Sequence, residues 1–177
     1  MIIETRSAEE TYQLGFEIGK KATSGQVYTM VGDLGVGKTV FTQGMAKGLA
    51  IEEPISSPTF TIVQVYDEGR LPFYHFDVYR IGSSEEMYDI GFDEYIDGEG
   101  VCIIEWANLI EDILPDEYLY IELKYKDMSR EMKIDRAARM HLNNQDELME
   151  KKQEEMNNPT ITQTNIIKEE KTTIIQP

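Results

Sequence analysis

Apolar residues along the first 135 positions fall into two periodicities, and the switches between them mark the elements. Ala8, Thr11, Gly15, Ile18 and Ala22 recur at intervals of three and four, the spacing of one helical face, and predict a helix to about Thr23. Ser7-Ala8-Glu9-Glu10 is a capping box at its start, with the serine at the cap and a glutamate three residues on. Residues 27–31 are a short, mostly apolar, β-prone run, the pattern of a strand buried on both faces. Phe41, Met45 and Leu49 return to a four-residue interval and predict a second helix. Gly44 and Gly48 within it are poor helix formers and predict close packing of that helix against a sheet.

Pro54 and Ser56-Ser57-Pro58 break the pattern and predict a loop. Residues 60–66 and 73–79 read as the two strands of a hairpin around Asp67-Glu68-Gly69-Arg70. Ser83-Ser84-Glu85-Glu86 caps a short helix at 87–90. Val101-Cys102-Ile103-Ile104, ending in Glu105 and Trp106, predicts another buried strand. A short helix over 108–114 is stopped by Pro115, and residues 118–126 with 131–135 predict a closing antiparallel pair. Beyond residue 140 the pattern changes in kind. Residues 141–158 are polar enough for a solvated helix, whereas 159–177 have no period and only isolated isoleucines. The expected organisation is a domain over residues 1–140 and a polar, disordered tail over 141–177, with a short partner-docking segment as the alternative for the tail.

Composition narrows the classes. At 177 residues the chain fits one domain with a real core, and no apolar run approaches the ~18 residues of a membrane span. The N-terminus has neither a basic start nor a long apolar stretch, so a secretory signal is not expected. Cys102 is the only cysteine, which rules out an intramolecular disulfide and speaks against a cysteine-rich zinc site. A cytoplasmic protein with no membrane association is expected. The net charge is −16, of which residues after 140 carry −3 through seven acidic and four basic side chains. No cluster of Lys and Arg offsets this field, so direct nucleic-acid binding by the chain alone is not expected.

The chemistry is concentrated in Gly32-Asp33-Leu34-Gly35-Val36-Gly37-Lys38-Thr39, a match to the phosphate-binding loop G-x-x-x-x-G-K-[ST]. Glycines there let consecutive backbone N–H groups converge on an anion, Lys38 reaches the β- and γ-phosphates, and the Thr39 hydroxyl serves Mg²⁺. The helix that follows turns its positive end to the phosphates. A strand before the loop and a helix after it supply the context the motif needs. The fold expected is α/β: a three-layer P-loop NTPase fold with a central mixed, largely parallel sheet and helices on both faces. Hydrolysis needs a further carboxylate for Mg²⁺ or for the attacking water. Asp77 and Glu105 are the two in the right setting, since an acid at the exit of a buried strand projects toward the phosphate edge. Against them stand a plain strand-end carboxylate for Glu105 and a solvent-facing acid for Asp77. His75 and His141 form no catalytic pair by sequence, and His75 reads as structural within its strand.

Four segments together, residues 32–39, Ser57-Pro58-Thr59-Phe60, His75-Phe76-Asp77-Val78-Tyr79-Arg80 and Glu105-Trp106, resemble the TsaE family, also called YjeE or YdiB. The resemblance covers residues 1 to about 135 in order and spacing. It implies the bacterial ATPase of tRNA threonylcarbamoyladenosine biosynthesis, acting with TsaB and TsaD, using ATP and Mg²⁺. Residue by residue it implies Lys38 and Thr39 as phosphate and Mg²⁺ contacts, Thr59 in a switch-like element near the γ-phosphate, and Asp77 as the essential acid. It also implies Glu105 as the metal-associated carboxylate and Arg130 near the base. Trp106 would stack near the nucleotide or gate it; a half-buried aromatic is the plain alternative. Val40 stands where the family often has a hydroxyl residue, which touches only an auxiliary phosphate contact. A small-molecule kinase is the first competing class, but residues 106–129 lack the arginine of a closing lid. A GTPase is the second, and it lacks an Asn-Lys-x-Asp base reader.

Overall fold

The computed structural model describes residues 1–138, and the expected tail at 141–177 lies outside them. In chain order the elements are β1 (Ile2–Thr5), α1 (Ala8–Lys21), β2 (Val27–Val31), α2 (Lys38–Gly48), β3 (Val63–Tyr66) and β4 (Phe73–Asp77). They continue with α3 (Glu86–Asp89), α4 (Phe92–Ile96), β5 (Val101–Glu105), 3₁₀ turns at Ala107–Leu109 and Glu111–Ile113, β6 (Glu117–Lys126) and β7 (Ser129–Ala138).

The two continuous apolar runs become neighbours at the middle of the sheet. β2 and β5 pair in parallel, with Val27 opposite Cys102 and Met30 opposite Glu105, and both are buried at every position. One mixed sheet results, in the order β1-β7-β6-β2-β5-β4-β3. Its four inner strands, β6, β2, β5 and β4, run parallel, and antiparallel partners close each side. The C-terminal ends of those four strands therefore share one edge. Helices cover both faces. Phe41 and Met45 of α2, with Leu49 directly after it, join Tyr28, Met30, Phe73 and Ile103 in the core on one face. On the other, Phe92 and Tyr95 of α4 meet the Phe76 ring edge-on, and Tyr95 meets Tyr74.

Ser7 caps α1 by accepting from the Glu10 N–H, while Glu10 reaches back to the Arg6 N–H. The glycines of α2 serve a helix contact and not the expected helix–sheet contact. A Cβ on Gly44 would lie 1.9 Å from the Tyr12 carbonyl oxygen and one on Gly48 would lie 2.3 Å from that of Phe16. Gly15 and Gly19 of α1 answer them, 2.2 Å and 2.1 Å from the carbonyl oxygens of Phe41 and Met45. Two small-residue stripes thus bring α1 and α2 into backbone contact.

Four further expectations are corrected. The strand expected from Phe60 begins only at Val63, because the Pro58 carbonyl closes a turn onto the Thr61 and Ile62 N–H groups, leaving Phe60 85% exposed. The strand expected to Tyr79 stops at Asp77, whose own carboxylate accepts the Tyr79 N–H and turns the chain. The helix expected over 108–114 is two separate 3₁₀ turns. The closing hairpin is longer than its apolar pattern, pairing Glu117 with Ala138 through to Lys126 with Ser129.

Candidate nucleotide site at the C-terminal edge of the sheet

The loop after β2 has the backbone its sequence demands. Gly32, Gly35 and Gly37 all take positive φ, at 145°, 77° and 116°, where a side chain would be strained. The first helical hydrogen bond of α2 runs from the Phe41 N–H to the Gly37 carbonyl, so the N–H groups of Lys38, Thr39 and Val40 precede the ladder. Those three groups and the positive end of the helix face the loop's concavity. Asp33, Leu34 and Gly35 form its exposed crown, and the Tyr125 hydroxyl donates to the Gly35 carbonyl at 2.8 Å.

Lys38 is folded into this loop. Its ammonium donates to the Gly32 and Asp33 carbonyls at 2.8 and 3.0 Å and lies 3.9 Å from the centre of the Trp106 ring. Burial pulls the ammonium below the ordinary lysine range, and the charges of Glu105, Asp77 and Asp33 oppose that pull. Trp106 itself sits at φ +64°, a left-handed conformation for a bulky residue directly after β5. Its N–H donates to the Met30 carbonyl, and Tyr79 packs on its ring at 4.8 Å between centroids.

The two acids arrive by register. Asp77 ends β4 opposite Glu105, which ends β5, and both are buried, at 4% and 2% exposure. The Thr39 hydroxyl donates to the Glu105 carboxylate, 3.2 Å from Oε1 and 3.4 Å from Oε2. His75 Nε2 lies 2.9 Å from the same Oε1. Asp77 is bonded through its carboxylate to the loop before β3. Its Oδ2 accepts from the Ser57 and Thr59 hydroxyls, the latter at 2.6 Å, and its N–H donates to the Ile62 carbonyl at 2.9 Å. Ile62 is at φ +67°, a strained position for a β-branched residue.

Of the residues singled out by sequence, Gly32 through Val40, Asp77, Glu105 and Trp106 gather at one edge, with Thr59 joined through Asp77. Arg130 is on β7, its Nε 3.4 Å from where a Cβ on Gly37 would be, and its guanidinium lies 6.0 Å from the Tyr125 ring. Sequence reading missed Tyr125, placed Ser57 in a motif segment without a role, and gave His75 no contact with an acid. Strand alternation held a signal for His75, since a period of two puts it on the Asp77 face. A cavity of about 390 Å³ lined by Gly25, Glu117 and Arg136 lies at the opposite end of β2 and β6 and holds none of these groups. Among the described residues no helix is long and apolar enough to cross a membrane.

A phosphate-binding loop between a parallel strand and a helix, with the acid of the adjacent strand on the loop threonine, defines a P-loop protein of the α/β class. The profile of threonylcarbamoyl adenosine biosynthesis protein TsaE matches residues 5–134, and the chain belongs to the TsaE family. It is 50% identical over 120 residues to the tRNA threonylcarbamoyladenosine biosynthesis protein TsaE of Bacillus subtilis, covering 68% of this chain and 75% of that one. To the protein of the same name from Treponema pallidum it is 44% identical over 131 residues, covering 73% and 96%. The crystal structure of YdiB from Bacillus subtilis superposes with a TM-score of 0.67 at 39% identity, over 89% of this chain and 96% of that one.

Proposed function

We propose that this chain is the ATPase of tRNA threonylcarbamoyladenosine synthesis, a cytoplasmic protein that binds ATP with Mg²⁺ and hydrolyses it to carry a TsaB–TsaD complex through its cycle. The observation that carries the reading is the Thr39–Glu105 contact, which ties the phosphate-binding loop to the acid of the neighbouring strand. The donors at hand are hard oxygens: the Thr39 hydroxyl and the Glu105 and Asp77 carboxylates. Among the described residues no group of three or more His, Cys, Asp and Glu could cage a metal alone. That fits Mg²⁺, which is held by one or two carboxylates together with substrate phosphates. When bound, the cation neutralises charge on the β- and γ-phosphate oxygens.

The chain's own groups do the rest. The N–H groups of Lys38, Thr39 and Val40 cradle the phosphates. Lys38 exchanges the Gly32 and Asp33 carbonyls for phosphate oxygens, and in doing so leaves the Trp106 face free to stack or gate. Thr39 and Glu105 take the metal side. Asp77, with Ser57 and Thr59 on one oxygen, takes the side of the attacking water. Its carboxylate receives the proton the water gives up as the water oxygen bonds to the γ-phosphorus and the bond to the ADP oxygen breaks. Arg130 lies on the loop's outer flank, toward the base. The charge of −16 puts the RNA in the partners' hands, not on this chain.

Phosphate release from ATP, measured with and without purified TsaB and TsaD, tests this reading. Stimulated release in the presence of both partners is expected. ATP binding with no release under any combination would remove the ATPase assignment, and phosphoryl transfer to a small acceptor would replace it with a kinase.

A further inference from the structure

His75 is buried to 0% exposure in an apolar strand, and only one of its two ring nitrogens has a partner. Nε2 lies 2.9 Å from Glu105 Oε1, whereas Nδ1 is buried with no hydrogen-bond partner. A proton on Nδ1 would be a buried donor without an acceptor, so the ring's proton belongs on Nε2 and is given to Glu105. The ring is held for this task. Phe73 stacks on it at 6.5 Å between centroids and 23° between planes, and the backbone register fixes it beside Ile103, two residues before Glu105.

From this geometry we propose that His75 is a positioning residue for Glu105, orienting its carboxylate toward the Mg²⁺ that accompanies the nucleotide. The proposal rests on the nucleotide reading above and deepens it. Glu105 Oε1 receives the imidazole N–H from within the core and the Thr39 hydroxyl from the loop, which holds that oxygen between them. Oε2 has only the longer Thr39 approach at 3.4 Å and keeps lone pairs for a cation. An imidazole N–H donor suits the position, holding the carboxylate from the core side and leaving the loop side open. Hydrogen-bond partners behind a ligating carboxylate set metal affinity in this manner, typically by roughly 10–100-fold.

The test uses the full-length chain and two variants, His75→Phe, which keeps the ring shape without an N–H, and His75→Gln, which restores a side-chain N–H. Isothermal titration gives ATP affinity with Mg²⁺ and with a chelator, thermal melting gives folding, and ¹⁵N spectra of the labelled imidazole give the tautomer. The expected result is an Nε2–H tautomer in the free protein and a Mg²⁺-dependent gain in affinity that falls roughly 10–100-fold in His75→Phe. Chelator-state affinity should stay unchanged, and His75→Gln should recover most of the gain. A cooperatively melting His75→Phe with the full Mg²⁺ gain overturns the proposal, and so does an Nδ1–H tautomer. If His75→Phe does not melt cooperatively, the tautomer of the unsubstituted chain and the gain in His75→Gln decide the matter. Failure of the underlying reading looks different: the unsubstituted chain itself would show no Mg²⁺ gain while keeping the Nε2–H tautomer.

Discussion

Lys38 is the residue with the most to exchange on binding. Its ammonium already gives hydrogen bonds to two loop carbonyls and faces the only tryptophan, so phosphate must outbid contacts that exist in the free protein. Lys38→Ala should therefore weaken ATP binding by about 10–100-fold, the equivalent of one charge-assisted hydrogen bond, as read by isothermal titration. Trp106 fluorescence should change when ATP binds the unsubstituted chain and stay nearly flat in Lys38→Ala; equal changes in both would dissociate the indole from the lysine. Thr39→Ala should cost affinity more with Mg²⁺ than with a chelator, and equal losses would take Thr39 out of the metal shell. Asp77→Ala should abolish phosphate release while ATP still binds. Much of this site was legible because the phosphate-binding loop is local: eight consecutive residues carry its whole geometry. What was not legible depends on register. Ser57 and Thr59 reach the same Asp77 oxygen because β3 and β4 pair antiparallel, and His75 reaches Glu105 from thirty positions away because β4 and β5 align in parallel; no single stretch of sequence states either alignment.

At the scale of elements, long periodic segments were readable and short or contextual ones were not. α1 carries its own period and cap, α2 its four-residue spacing, and β2 and β5 their continuous apolar runs, and all four form where the pattern places them. β1 offers only four residues, Ile2–Thr5, and becomes a strand because β7 pairs with it, Ile3 opposite Met132. The five residues of α4 are a helix because Phe92 has Phe76 to pack on. The glycines of α2 were recognised as a close approach but assigned to the wrong neighbour, since a small residue states that something is near and not what. The α1–α2 contact makes its own prediction. Gly44→Ala gains helix propensity of about 0.5–1 kcal/mol, yet its Cβ would meet a backbone oxygen at 1.9 Å, which only separation of the helices can relieve. Overpacking of this kind costs typically 1–3 kcal/mol, so denaturant unfolding should show a net loss of stability. A neutral or stabilising outcome would mean that the two helices are not held in backbone contact.

At the scale of the whole molecule, the strand pairings and the family match cover nearly the same residues. Among the described residues the strand pairings run from residue 2 to residue 138, and the family match spans 5–134; residues after 140 lie outside the described part. Those residues add seven acidic and four basic side chains and lower an already acidic charge by 3. A remaining charge of −13 would still oppose an RNA backbone, so removing the tail should not create tRNA binding. A chain ending at residue 140 should melt cooperatively near the full-length temperature and bind ATP with equal affinity by titration. A drop in either would assign the tail a place in the fold. Partner stimulation separates the remaining cases. If the shortened chain folds and binds ATP but no longer responds to TsaB and TsaD, the tail is a docking segment that acts only in the complex, with its ordering cost met at binding. If it responds as before, the 1–140 domain alone carries the activity, and the surface that meets the partners lies on the domain itself.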